Sequence, residues 1–136
     1  MILDTLTLNH HVAVAKCHQH NGILPEPRTQ EENYILDNLD TSMFVLGMSD
    51  KGREGEWVWE SDGSSVLWTK WWKQSDNKEH CAVMMQNSYV AHGHWHDFKC
   101  DDYMDGLGKH LICQKHTGML IFNFLVSNIM VLDRQF

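Results

Sequence analysis

Residues 95–100 read WHDFKC, and two further histidines precede them in AHGHWHDFKC, residues 91–100. In an extended strand, residues two apart project to the same face, so His92, His94 and His96 could align their imidazoles as a zinc site requires. Trp95 and Cys100 set the buried register of such a strand, however, and histidines alternating with Trp95 then face solvent. A second donor set, His96 with Asp97 and Glu79, combines carboxylates with an imidazole. A surface role for the histidines is the stronger expectation, and zinc is not expected at either set.

Cys100 belongs to a set of four cysteines with Cys17, Cys81 and Cys113, and no CxxC pair occurs. The spacing differs from zinc ribbons and thioredoxin motifs, so the even set reads as two disulfides, with three connectivities open. Disulfides point to a secreted, extracellular protein. The start, MILDTLTLNHHVAVAKC, lacks the basic residues, long apolar run and cleavage site of a signal peptide. At 136 residues, with 43% hydrophobic residues and six tryptophans, the chain suits one globular domain. A net charge of -7 without clustered Lys and Arg excludes nucleic acid as a partner.

Upstream of these strands the pattern is helical. Val12, Ala15 and Leu8 lie at helical spacing within residues 8–20, and Asn21-Gly22 provides a stop. A second helix is predicted over about residues 30–38, where Thr29 and Glu32 have capping-box spacing and Tyr34, Ile35, Leu36 and Leu39 form an apolar stripe. From Met43 onward short apolar runs alternate with Gly, Asp, Asn and Ser, which predicts strands and an α+β fold. Residues from about 60 to 80 show no regular period and read as a long functional loop. The apolar run from Met119 to Leu132 is shorter than the about 18 to 20 residues that cross a membrane, so it predicts an added strand, helix or tail.

Taken in order, helix, cysteine, helix, FVLGMSD (44–50), WVWESDG (57–63), Trp71 or Trp72, Cys81, WHDFKC (95–100) and ICQK (112–115) form a pattern. This order resembles the C-type lectin-like domain over residues 2 to about 115, giving a domain at 2–116 and an apolar tail at 117–136. The resemblance implies two helices, small antiparallel sheets, a long irregular binding loop and disulfides Cys17–Cys113 and Cys81–Cys100.

Sugar-binding members of that family hold calcium with side-chain oxygens that also contact the sugar. By resemblance, Gln74 and Asp76 of QSD (74–76), Glu79, His96 and Asp97 would hold both calcium and carbohydrate, with Trp71 and Trp95 near the ligand. The Gln and Asp ends match the galactose-type version of the tripeptide. Three departures imply a weakened site. Ser75 replaces a cis proline, and a cis bond there costs about 3 to 4 kcal/mol instead of about 1. Asn77 and Lys78 make a short connection to Glu79. His96 replaces an asparagine, and ring nitrogen suits a hard cation poorly. His80 stands where an acidic residue often helps form an auxiliary calcium site, which sets it against that second ion.

The function expected is carbohydrate binding by a secreted lectin-like domain, calcium-dependent through a weakened, galactose-leaning site. The alternative is a lectin-like module that binds a protein or other non-sugar ligand without calcium. No nucleophile elbow or HExxH motif marks an enzyme. A membrane role is not expected; the sequence leaves a homo-oligomer open, and single lectin sites gain by multivalency.

Overall fold

Helix α1, His10–Gln19, begins where the Asn9 side chain accepts the Val12 N–H at 2.9 Å, satisfying one donor that a helix N-terminus leaves free. The computed structural model describes residues 9–38, 43–74, 78–85, 93–102, 111–119, 121–126 and 129–135. The Asn-Gly stop is present: Asn21 takes a left-handed φ of 58°, and the Gly22 N–H donates to the Cys17 carbonyl at 2.9 Å. The buried stripe differs from the expected one. His10, Ala13 and Cys17 face inward, whereas Ala15 is exposed and Val12 half-buried. Cys17 sets this face through its disulfide to Cys113, with Cα atoms 5.5 Å apart.

Helix α2, Gln30–Asp37, is capped by Thr29, whose hydroxyl accepts the Glu32 N–H at 3.2 Å. The Glu32 carboxylate closes the box one residue early, accepting the Arg28 N–H at 2.9 Å. Leu36 is buried as expected, but Tyr34 and Ile35 are 69% and 40% exposed. Asn33 takes the inward position instead, because its amide is used there. Its Oδ1 accepts the Trp95 indole N–H at 2.7 Å, and its Nδ2 donates to the Gly93 carbonyl at 3.0 Å.

Strands β1 (Phe44–Ser49), β2 (Val58–Trp59), β3 (Trp71–Lys73), β4 (Cys81–Met84) and β5 (Trp95–Phe98) form one sheet in the order β2-β1-β4-β5-β3. Its pairs are antiparallel except β3–β5, which is parallel: β3 joins the far edge after the long connection from β2 instead of turning back in a hairpin. Strands β1 and β4 are buried along their whole length, as expected for central strands covered on both faces.

One core cluster gathers Ala13, Cys17, Leu24, Val45, Val83 and Phe98 around the disulfides; the other gathers Leu36, Leu46, Trp57, Trp59, Met84 and Trp95. In the second, the Trp95 ring meets Trp59, Trp68 and Trp71 near edge-on at centroid distances of 6.2, 5.7 and 5.7 Å. Such pairs contribute about 0.5–1.5 kcal/mol each beyond area burial.

The turn after β2 is tied down by Glu26, a buried carboxylate. It accepts from Arg28 Nη2 at 2.9 Å, from the Ser61 N–H at 2.9 Å and from the Ser61 hydroxyl at 2.7 Å. Disulfide Cys81–Cys100, with Cα atoms 5.2 Å apart, staples the start of β4 to the residues just after β5. Both pairings implied by the resemblance are therefore present.

Strand β6 (Leu111–Met119) runs through the boundary expected between residues 116 and 117. Strands β7 (Ile121–Val126) and β8 (Ile129–Gln135) follow, and the apolar tail enters a second sheet in the order β6-β8-β7. Strand β8 is parallel to β6 and antiparallel to β7. Among the described residues no helix is long and apolar enough to cross a membrane.

Candidate functional site

The candidate site grows from β5 and the residues leading into β4. Antiparallel pairing sets Cys81 opposite Phe98, Ala82 opposite Asp97 and Val83 opposite His96. Trp95 is fully buried and anchors the strand, His96 is half-buried, and Asp97 is 2% exposed. Glu79 lies two residues before Cys81, so the disulfide and the β4–β5 ladder together carry it toward Asp97.

Glu79, His96 and Asp97 each offer a donor atom, and these atoms lie within 4.8 Å of one another. One carboxylate oxygen of Glu79, Oε2, is buried without a hydrogen-bond partner. A buried, unpaired carboxylate oxygen is costly, and a cation or a donor from a ligand would satisfy it. His96 Nδ1 meets the Asp97 carbonyl oxygen, which requires the proton on Nδ1 and leaves the lone pair on Nε2. Two carboxylates match the hard oxygen set that calcium prefers, and the imidazole does not. The donor set fits calcium in part.

The other expected site residues are placed as follows. Gln74 is exposed; Ser75 and Asp76 lie outside the described residues, as does His92. His94 is not a member of the Glu79, His96 and Asp97 cluster. Trp71 is half-buried against Trp57 and Trp95, with centroids 4.8 and 5.7 Å away.

Trp95, expected near the ligand, has no exposed surface and spends its indole N–H on Asn33. Its place at the surface is taken by Trp72, which is 46% exposed and lies 6.1 Å from the His96 ring. Strand alternation in WWK held the signal for this: with Trp71 turned to the core, Trp72 turns outward.

Over residues 7–120 the chain matches the family model described as the Lectin C-type domain. The Perlucin-like protein of Mytilus galloprovincialis is 28% identical over 102 residues, covering 68% of this chain and 64% of that protein. The low affinity immunoglobulin epsilon Fc receptor of Mus musculus is 34% identical over 80 residues, covering 56% of this chain and 22% of the receptor. The chain thus spans less than two thirds of either relative. Among solved structures, the mouse scavenger receptor C-type lectin carbohydrate-recognition domain superposes with a TM-score of 0.62 at 25% identity, covering 74% of this chain and 81% of that one. A calcium-independent type II antifreeze protein superposes with a TM-score of 0.61 at 21% identity, covering 74% and 76%, a likeness of fold alone.

Proposed function

The chain belongs to the C-type lectin domain family, and from that premise we propose that it binds carbohydrate at the surface formed by Glu79, His96 and Asp97. The observation that carries this reading is the convergence of those donors around the buried, unpartnered Glu79 Oε2. Carboxylates there accept hydrogen bonds from sugar hydroxyls, and Trp72 beside His96 offers an aromatic face to the apolar side of a sugar ring. Calcium would be held by Glu79 and Asp97, with Gln74 and Asp76 added from the loop, and would supply coordination of vicinal hydroxyls. The His96 nitrogen makes that affinity low. The Gln and Asp ends of QSD favour galactose-type sugars. The two disulfides favour an extracellular location, and self-association would raise the avidity of a weak site.

A second reading is favoured by His96 itself. An imidazole where calcium wants oxygen suits a module that binds a protein or another non-sugar ligand without calcium, and a calcium-independent neighbour shares the fold. A glycan array probed with calcium and with chelator separates the two. Galactose-terminated signals that fall with chelator support the first reading. Absence of signal in both conditions overturns it and leaves the second.

A further inference from the structure

Apart from the Glu79 cluster, a second set of donors meets where β1 ends and β4 begins. Asp50 follows β1, Glu54 lies in the turn beyond it, and His80 immediately precedes β4. Pairing of Ser49 with Cys81 brings these ends together, and the Asp50 N–H donates to the His80 carbonyl at 3.1 Å. Gly55, at a φ of 81° that favours glycine, turns the chain so that its N–H donates to Asp50 Oδ2 at 2.9 Å. Oδ1 of the same carboxylate is left facing His80. His80 Nδ1 lies 2.8 Å from Asp50 Oδ1 and 3.3 Å from Glu54 Oε2.

We propose that Asp50, Glu54 and His80 form a binding site for a borderline divalent transition metal of the zinc class, with a coordination position open to solvent. Donors on a tetrahedral zinc ion at about 2.0–2.1 Å lie roughly 3.3 Å from one another; His80 Nδ1 to Glu54 Oε2 matches this, and His80 Nδ1 to Asp50 Oδ1, at 2.8 Å, is the shorter contact of a hydrogen-bonded pair that a bound ion would spread. One imidazole with two carboxylates is the donor mixture such a metal accepts, whereas calcium would want oxygen at His80. The same His80 that the sequence sets against an auxiliary calcium ion thus supplies the nitrogen that suits zinc. The expectation against zinc concerned His92, His94 and His96, and His96 with Asp97 and Glu79, and none of these residues belongs to this trio.

The surroundings support the assignment. Asp50 is 2% exposed, and the Gly55 N–H orients it, as outer-shell donors orient metal-binding carboxylates. His80 and Glu54 side chains are 34% and 51% exposed, which leaves the outer side open to water or to a ligand. Two carboxylates crowd one imidazole here. Among the described residues, the ion-pair partner of Asp50 and of Glu54 is His80, and neither has a lysine or arginine. A bound cation would offset that crowding.

The proposal stands apart from the glycan reading and is tested with metal alone. Cobalt(II) chloride is titrated into the chelator-stripped chain, followed by visible absorption and by paramagnetically shifted imidazole resonances, and then displaced with zinc chloride. Saturation at one cobalt per chain, displaced by zinc and not by millimolar calcium, is expected. His80→Gln and Glu54→Gln should each weaken cobalt by at least about tenfold. Glu54 is exposed, so its variant reports on metal binding even where His80→Gln disturbs folding. No saturable signal, displacement by calcium, or a signal kept in both His80→Gln and Glu54→Gln would overturn the proposal.

Discussion

Replacing Trp95 by Phe tests how the site strand is held. The indole N–H donates to Asn33 Oδ1 at 2.7 Å, and Asn33 is 1% exposed, so phenylalanine leaves a buried acceptor without its donor. That loss costs about 1–3 kcal/mol. The smaller ring also leaves a void among Trp59, Trp68 and Trp71, which adds about 1 kcal/mol or more. The sum is a destabilisation of about 2–4 kcal/mol, a large part of the stability of a small domain. Urea unfolding followed by far-ultraviolet circular dichroism, with disulfides intact, measures it. Asn33→Ala and the double variant complete a cycle whose coupling should be about 1–2 kcal/mol. A loss below about 1 kcal/mol, or strict additivity of the two changes, would refute the buried Trp95–Asn33 bond as the anchor of β5.

The two disulfides should differ in their contribution to stability. Their sequence separations are 96 and 19, so the chain-entropy model gives about 4.7 kcal/mol for Cys17–Cys113 and about 3.2 kcal/mol for Cys81–Cys100. Paired Cys→Ser variants compared by calorimetry should unfold in that order, and the reverse order would contradict the model. Gly93→Ala should cost about 1–3 kcal/mol, because a side chain is forced to a φ of 76° and its Cβ would come 2.8 Å from Asp37 Cγ. An unchanged denaturation midpoint would contradict this.

In metal-free protein the raised Glu54 carboxyl favours the fold while it is protonated. That contribution is fully present below its ordinary value of 4.5 and is lost as pH rises through the raised folded value. Glu54→Gln should remove that loss. Equal pH dependence of the midpoint in both proteins, with chelator present, would argue against the crowded carboxylates.

Much of the frame is legible in local chemistry. Asn9, Thr29 and the Asn21-Gly22 stop act within a few residues, so the helix boundaries follow from the sequence. Which face each helix buries does not, because distant partners decide it: Cys113 turns Cys17 inward, and Trp95 draws Asn33 in while Tyr34 and Ile35 stay outside. Glu79 and Asp97 could be named as a pair only through the family pattern, since β4–β5 pairing is what joins them. The Asp50, Glu54 and His80 trio was hidden for the same reason, the β1–β4 register being absent from any short window of sequence. Trp72 was locally readable through strand alternation, yet the neighbouring Trp71 offered an equally good match to the family tryptophan.

The central claim is that Glu79, His96 and Asp97 form one cation- and glycan-binding site in which His96 supplies nitrogen where calcium wants oxygen. Calorimetric titration of calcium into the chain and into His96→Asn tests it most directly. The variant should bind calcium more tightly, as an amide carbonyl replaces the ring nitrogen. Binding that is unchanged or weaker in His96→Asn would contradict the assignment.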